Sequence, residues 1–100
     1  MNFEESLQTT GFTVYSKSGC VNCVKAKEIL KGKNLLFVTV DCDEYLIEDR
    51  ENFLFFISQK ANKECKSFPM IFNDGVFIGG VSELKIHIDK LFSFIENITF

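Results

Sequence analysis

Residues 12–23 read FTVYSKSGCVNC, and this stretch decides how the rest of the chain is interpreted. Its first four residues are apolar or β-branched and predict a strand, whereas residues 21–31 carry a helical stripe of apolar side chains. A Ser-Gly turn separates the two elements. Cys20 and Cys23 therefore form a C-x-x-C pair on a strand-to-helix turn.

Two thiols at this spacing can close a small disulfide and reopen it. Unpaired N–H groups and the dipole at a helix N-terminus favour a negatively charged sulfur, so Cys20 is the predicted nucleophile. Lys17, three residues upstream, brings a positive charge towards that sulfur. Cys23, one turn into the helix, is predicted to be more buried and to resolve a mixed disulfide. The pattern favours thiol–disulfide exchange over two ordinary cysteines on a helix face.

The composition predicts one small globular domain over residues 1–100. The chain is 46% hydrophobic and 25% charged, which is typical of a folded protein. Its formal charge is −3 and it has no run of Lys or Arg, which disfavours nucleic acid as a partner. The acidic start and the short apolar runs disfavour a signal peptide or a membrane span. We therefore expect a reducing, cytoplasmic setting, in which four cysteines serve redox or metal chemistry.

Hydrophobic periodicity predicts the order β-α-β-α-β-β-α, an α/β fold with a four-stranded mixed sheet flanked by helices; residues 1–10 form a short leading helix or a loose segment. Residues 35–40 are a continuous apolar run, typical of a strand covered on both faces and parallel to its neighbour. Residues 46–61 predict the second helix. Asn73-Asp74-Gly75 predicts a hairpin turn. Ser82 is the predicted cap of the last helix.

Two later segments have backbone groups that could bind a ligand. Pro69 is the only proline and heads a strand, so it is either an ordinary strand-entry proline or half of a cis Phe68–Pro69 bond. In the cis form, the Phe68 backbone would turn outward to pair with an extended peptide. Gly79-Gly80 fits either turn chemistry or a close backbone approach to a ligand. The helix start at Ser82-Glu83 offers N–H groups to a carboxylate.

Taken together, residues 15–23, Ser67-Phe68-Pro69 and residues 78–84 resemble the three signature segments of glutaredoxins. The resemblance extends from about residue 12 to residue 94. It implies a thioredoxin fold and glutathione-dependent reduction of protein disulfides and protein–glutathione mixed disulfides. It also implies that Cys20 attacks and becomes glutathionylated, and that Cys20 and Cys23 form the redox-active disulfide.

The resemblance further implies a glutathione site. Two lysines would meet the glycine carboxylate, the Phe-Pro segment would pair with the cysteine unit, and the Gly-Gly segment with the next helix start would hold the γ-glutamyl end. These residues are Lys17, Lys66, Phe68, Pro69, Gly80, Ser82 and Glu83.

The active-site motif departs from the usual family pattern at two positions. Val21 stands where proline is usual, and Asn22 where tyrosine is common. Cys-Val-x-Cys looks more like redoxins that donate electrons to ribonucleotide reductase and are recharged by thioredoxin reductase. Some proline-lacking glutaredoxins instead bridge two chains through a [2Fe–2S] cluster. Both alternatives stay open; without a cluster, we expect a monomer.

The remaining two cysteines receive no catalytic role from the sequence. Cys42 is interpreted as semi-buried packing and Cys65 as a bystander near the active turn. A zinc site made of all four thiols is disfavoured because the second pair lacks C-x-x-C spacing, and no metal is expected. The acidic run at residues 41–44 is interpreted as a solvated lead into a helix.

Overall fold

The computed structural model describes residues 10–98, and side chains over residues 10–93. The strands are β1 (Phe12–Ser16), β2 (Phe37–Asp41), β3 (Met70–Asn73) and β4 (Val76–Gly79). The helices are α1 (Val21–Gly32), α2 (Asp43–Ala61) and α3 (Val81–Ile98). The predicted element order is confirmed, whereas the predicted leading helix lies almost wholly outside the described residues.

The four strands form one sheet in the order β2-β1-β3-β4. Strands β1 and β2 are parallel and are joined by α1, because parallel neighbours need a crossover connection. Strand β3 is antiparallel to both β1 and β4. In the parallel pair, Ser16 lies opposite Asp41, so β1 and β2 end at the same edge of the sheet. The segments that follow these two strands therefore start side by side.

A hydrophobic cluster lies on each face of this sheet, because successive side chains of a strand point to opposite faces. One cluster joins Tyr15 of β1 to Phe53 and Ile57 of α2. The other joins Val14 of β1 to buried side chains of α1 and α3, which are Ala26, Leu30, Leu84 and Ile88. Burying one such large apolar side chain contributes about 1.5–3 kcal/mol. The two clusters fix β1, and with it the start of α1, between two helical layers.

Strand β2 corrects one prediction. The run was expected to be covered on both faces, but β2 is an edge strand and all five of its residues are exposed or half-buried. Leu36, just before it, is 91% exposed, and Val38 is 44% exposed. The parallel pairing with β1 is as predicted. An apolar run reports β propensity, and it does not distinguish a central strand from an edge strand.

Helix α2 begins three residues earlier than predicted and is not straight. Asp49 has φ −158° and ψ 70°, which interrupts the helix. The Asp49 carboxylate accepts hydrogen bonds from the Asn52 backbone N–H and side-chain amide, at 3.4 and 2.8 Å, and so caps the second half. Within residues 10–98, no helix combines the length and apolar character needed to cross a membrane.

The β3–β4 hairpin is confirmed. Its two turn residues, Asp74 and Gly75, have φ of 52° and 80°, the left-handed pair that a two-residue hairpin turn requires. The Asp74 carboxylate also accepts the Gly11 N–H at 2.7 Å, and the Asp74 N–H donates to the Gly11 carbonyl at 2.9 Å. The turn is thereby tied to the residue that precedes β1.

Candidate active site

Cys20 is the N-cap residue of α1. Its backbone is extended (φ −103°, ψ 104°), and its Sγ accepts a hydrogen bond from the Cys23 N–H at 3.1 Å. The side chain is half-buried, and the first turn of α1 contains no acidic residue. A cap that accepts an N–H bond at a helix N-terminus favours a negatively charged sulfur. The predicted attacking position is therefore both accessible and electrostatically suited to a thiolate.

Cys23 lies one turn into α1 and is 1% exposed. Burial, followed by a hydrogen bond with the Cys20 side chain, raises the pKa of Cys23 to about 11. The positive charge of Lys27 acts in the opposite direction. Cys23 is therefore a protonated thiol near neutral pH, behind a more accessible Cys20, and the predicted difference in burial is confirmed.

The loop before Cys20 is held by the first residue of α2. The carboxylate of Asp43 accepts the Ser18 N–H at 2.9 Å and also accepts the Ser18 hydroxyl. These two bonds hold the pKa of Asp43 below its usual value. Asp43 belongs to the run at residues 41–44 that was predicted to be a solvated lead into a helix, and it does begin α2; the structure adds that it positions the loop before Cys20. The feature that could have indicated this contact is the parallel pairing of β1 with β2, which brings together residues that are 25 apart in sequence.

A groove of about 380 Å³ reaches the residue between the two cysteines of the C-x-x-C turn. Its lining includes Asn22 of α1 and five of the predicted glutathione-binding residues: Lys66, Phe68, Pro69, Gly80 and Glu83. The Phe68–Pro69 peptide bond is cis. The β3 strand entry and the α3 N-terminus thus lie on one groove next to the C-x-x-C turn.

The other two predicted residues lie outside that groove. Lys17 lines a neighbouring depression together with Cys20 and Cys23, and its Nζ lies 5.4 Å from the centroid of the Phe68 ring. This cation–π contact links the thiol side of the site to the groove. Ser82 is exposed in the first turn of α3 and does not line the groove.

Helix α3 begins differently from the prediction. It starts at Val81, and the residue before it, Gly80, donates its N–H to Glu83 Oε1 at 2.8 Å. The predicted cap at Ser82 is therefore wrong, because Ser82 lies inside α3; the Glu83 carboxylate instead accepts the N–H of the residue before the helix, as in one half of a capping box. Gly79 was not predicted to belong to the site, yet it has φ 131°, and a Cβ there would lie 2.6 Å from Glu83 Oε1. Only glycine fits beneath this carboxylate.

Lys66 and Cys65 complete the groove wall. The Lys66 Nζ lies 2.9 Å from Glu64 Oε1, and both side chains are about three-quarters exposed (74% and 73%). Such an exposed pair is worth about 0–1 kcal/mol, so Lys66 is readily available to another carboxylate. Cys65 is buried and its N–H donates to Ser58 Oγ at 2.8 Å; burial raises the pKa of its thiol.

Over residues 10–93, no three His, Cys, Asp or Glu side chains are grouped as metal ligands would be. The four cysteines are free thiols. Cys42 is fully buried, which corrects the prediction of semi-buried packing. Its backbone N–H donates to the Ser16 carbonyl at 2.8 Å, which draws it into the core beneath the active-site loop.

Comparison with known proteins agrees with this arrangement. A family model described as Glutaredoxin matches residues 12–78. Glutaredoxin 1 of Rickettsia felis is 30% identical over 71 residues, which is 71% of this chain and 65% of the relative. The crystal structure of glutaredoxin 1 from Francisella tularensis, complexed with cacodylate, matches with a TM-score of 0.71 and 32% identity, covering 82% of this chain and 95% of that one.

A buckwheat glutaredoxin–glutathione complex shares the fold, with a TM-score of 0.68 and 20% identity, covering 87% of this chain and 76% of that one. The matched part of this chain spans just under two thirds, 65%, of the length of the Rickettsia felis relative. The thioredoxin-like α/β fold is common to this chain and to both solved structures.

Proposed function

The chain belongs to the glutaredoxin family, and from that premise we propose that it is a glutathione-dependent thiol–disulfide oxidoreductase. Its substrates are protein disulfides and protein–glutathione mixed disulfides. One observation carries the proposal: a half-buried Cys20 sulfur accepts the Cys23 N–H at 3.1 Å at the N-terminus of α1, beside an open groove.

The first reaction uses Cys20 alone. The Cys20 thiolate attacks the glutathione sulfur of a mixed disulfide, a Cys20–glutathione disulfide forms, and the substrate sulfur leaves as a thiolate that takes a proton from water. A second glutathione thiolate then attacks the glutathione sulfur held on Cys20. Glutathione disulfide leaves and the Cys20 thiolate is restored. In total, one mixed disulfide and one glutathione become one substrate thiol and one glutathione disulfide.

With a protein disulfide, Cys23 is also needed. Cys20 attacks one substrate sulfur, the substrate S–S bond breaks, and the other substrate sulfur leaves as a thiolate that takes a proton from water. Cys23 then loses its proton to water and attacks the Cys20 sulfur, which forms the Cys20–Cys23 disulfide and releases the second substrate thiolate. Burial is the main cause that raises the pKa of Cys23, and the hydrogen bond with Cys20 and the negative charge of Cys20 raise it further. The charge is removed once Cys20 is in a mixed disulfide, so Cys23 ionises more readily at the step that needs its thiolate, although burial still opposes ionisation. Two glutathione molecules then restore the dithiol and leave as one glutathione disulfide.

Glutathione would occupy the groove beside Cys20. The Phe68–Pro69 segment would pair with its cysteine unit, and the exposed Lys66 would meet its glycine carboxylate. The first N–H groups of α3 have no partner within the helix and would hold the γ-glutamyl carboxylate. The Glu83 carboxylate, which accepts the Gly80 N–H, would also face the γ-glutamyl ammonium group.

Lys17 and Ser82 lie at the margins of this glutathione site. Lys17, above the Phe68 ring, supplies positive charge between the thiols and the groove. Ser82 contributes through the first turn of α3 rather than through contact with the groove wall. We further propose a reducing compartment such as the cytoplasm, which suits the four free thiols, and a monomeric protein.

The test is reduction of a glutathionylated peptide in the presence of glutathione, glutathione reductase and NADPH. We expect turnover by the wild-type protein. Cys23→Ser should retain this reaction and lose reduction of a protein disulfide by about tenfold or more, because only the second reaction needs a resolving thiol. Cys42→Ser removes a buried thiol that lines neither the groove nor the depression at Cys20, and is the matched control, with both activities retained.

The same assay separates the alternative electron source. If thioredoxin reductase supports turnover and glutathione does not, glutathione is not the reductant and the proposal is wrong. Anaerobic purification in the presence of glutathione tests the cluster alternative, because a [2Fe–2S] protein would show visible absorbance.

A further inference from the structure

The segment that bears the two thiols differs in charge from the rest of the chain. Residues 17–33 contain five lysines and one glutamate, which gives this segment a formal charge of +4. The whole chain carries −3, so the residues outside the segment together carry −7. The positive charge of an acidic protein is therefore concentrated in the loop and helix that carry its C-x-x-C pair.

One exposed face of α1, which starts next to Cys20, carries two of these lysines and the glutamate, a formal charge of +1. Its exposed members recur at helical spacing and are Val21, Val24, Lys25, Glu28 and Lys31, which we call the α1 docking face. The opposite side of the helix is buried in the core. Val21 and Val24 are 68% and 52% exposed, so an apolar patch flanked by lysines adjoins the attacking thiol.

The lysines of the docking face form no ion pair with a described residue. Over residues 10–93, the single ion pair within 4.0 Å joins Lys66 to Glu64. Within that range, no carboxylate, including that of Glu28 on the same face, lies within 4.0 Å of the Lys25 or Lys31 ammonium group. The depression that holds Cys20 adds Lys27 from α1, and on its β2 side it contains Asp41.

We propose that the α1 docking face binds the polypeptide on either side of the substrate's oxidised cysteine and selects substrates in which Asp or Glu flanks that cysteine next to an apolar residue. The inference rests on the proposed function and names its substrate class. Carboxylates of the substrate approach Lys25 and Lys31, while its apolar residue covers Val21 and Val24. A basic flank is repelled, which gives discrimination as well as attraction.

Glutathione and the polypeptide would not compete for these lysines. The groove assigned to glutathione is lined by Asn22 of α1 and by none of the lysines of that helix. The two halves of a protein–glutathione mixed disulfide can therefore be held at once, with the tripeptide in the groove and the polypeptide along α1. The two surfaces adjoin at the C-x-x-C turn, because Asn22 lines the groove and Val21, next to Cys20, belongs to the docking face.

The experiment uses three peptides that differ only in the residues flanking one glutathionylated cysteine: two Glu, two Ser or two Lys. We expect kcat/KM to fall by about tenfold from the acidic to the basic peptide at low ionic strength, with the neutral peptide between them. At about 0.5 M NaCl the three values should converge, because screening acts within a few ångströms.

A pair of double variants locates the effect. Lys25→Glu with Lys31→Glu should reverse the order of the peptides. Arg50→Glu with Lys90→Glu changes the total charge by the same amount at exposed positions of α2 and α3, and should leave the order unchanged. Equal loss of the acidic preference in both double variants would mean that total charge, and not the docking face, selects substrates, and would overturn the inference.

Bis(2-hydroxyethyl) disulfide, assayed with glutathione, separates this inference from the proposed function. It is small and uncharged, so it needs the thiols and glutathione but not the docking face. If the protein reduces it and also treats the three peptides alike, the docking face has no role. If the protein reduces neither the small disulfide nor any peptide, the proposed function itself is wrong.

Discussion

Two helices of this protein begin after a cysteine, and the two thiols have opposite character. Cys20 precedes α1 and Cys42 precedes α2, and both lie at the same edge of the sheet because β1 and β2 are parallel. Cys20 is half-buried and its sulfur accepts an N–H of its own helix at 3.1 Å. Cys42 is fully buried and caps no helix N–H; its thiol instead donates towards the Val40 carbonyl at 3.5 Å.

The surroundings of the two sulfurs explain the difference. The first turn of α1 has no acidic residue, whereas that of α2 contains Asp43 and Glu44. Burial, and then the negative charge of Asp41, raises the pKa of Cys42 to about 12. A helix N-terminus therefore does not by itself make a thiol reactive. The sulfur must also accept the N–H groups, remain accessible and lack acidic neighbours.

Replacing each thiol in turn is the strongest test of this contrast. Cys20→Ser should lower the rate of glutathione-dependent disulfide reduction by at least about 100-fold, because a hydroxyl is not ionised near neutrality. Cys42→Ser should leave the rate within about twofold, since this thiol has no access to substrate. Circular dichroism would check that both variants are folded. A folded but inactive Cys42→Ser protein would contradict the conclusion that Cys20 is needed for the reaction and Cys42 is not.

Transferring an acidic residue from one helix start to the other sharpens the comparison. Asn22→Asp gives the first turn of α1 a carboxylate like those of α2, and should slow iodoacetamide alkylation of Cys20 at pH 7 by about three- to tenfold through like-charge repulsion. Gln59→Glu adds the same charge at the far end of α2 and should have no effect on that rate. Equal alkylation rates in the two variants would show that the first turn is unimportant.

Ionisation of the buried Cys42 thiol should contribute to the pH dependence of the free energy of unfolding. Because the pKa of Cys42 is about 12 in the folded protein against 9.0 ordinarily, the unfolded chain loses this proton at lower pH. The contribution to the free energy of unfolding is complete below pH 9 and decreases as the pH rises towards 12. Urea unfolding at pH 7, 9 and 10.5 should show a smaller decrease for Cys42→Ser than for the wild type. Parallel curves would contradict the assignment.

The smallest effect is expected where the start of α2 supports that of α1. Asp43→Asn should modestly lower the urea midpoint at pH 7, because the carboxylate loses its charge-assisted bonds to Ser18. The pKa of Asp43 is lowered by those bonds, so its contribution is present above its ordinary value of 3.8 and disappears as the pH falls through the folded value. Ser18→Ala removes the hydroxyl partner, and its effect should not add fully to that of Asp43→Asn.

Local sequence patterns were enough for the elements and for the two thiols. The C-x-x-C turn, the hairpin at Asp74-Gly75 and the α1 start each depend on neighbouring residues only. Contacts across the fold were not predictable in this way. The Asp43–Ser18 bonds depend on the pairing of β1 with β2, and the exposure of Val38 depends on β2 being at the sheet edge.

The groove also contains contacts that the sequence alone could not predict. Its outline followed from the resemblance, since Lys66, Phe68 and Gly80 line it. Which residue caps α3 could not be predicted from the resemblance, because Ser82 and Glu83 are both suitable capping residues in sequence. Only the three-dimensional arrangement shows that Glu83 caps Gly80 and that Gly79 must leave room for it.

The depth of Cys42 and Cys23 bears on damage by peroxide. Protonated, sequestered thiols react slowly with hydrogen peroxide, so we expect oxidation to begin at Cys20. A sulfenic acid formed there lies one helical turn from a second thiol and beside a site suited to glutathione, and either can convert it to a disulfide before it is oxidised irreversibly. The buried thiols of Cys23 and Cys42 would thus stay reduced, while peroxide oxidises the Cys20 sulfur in a form that a thiol can reduce again.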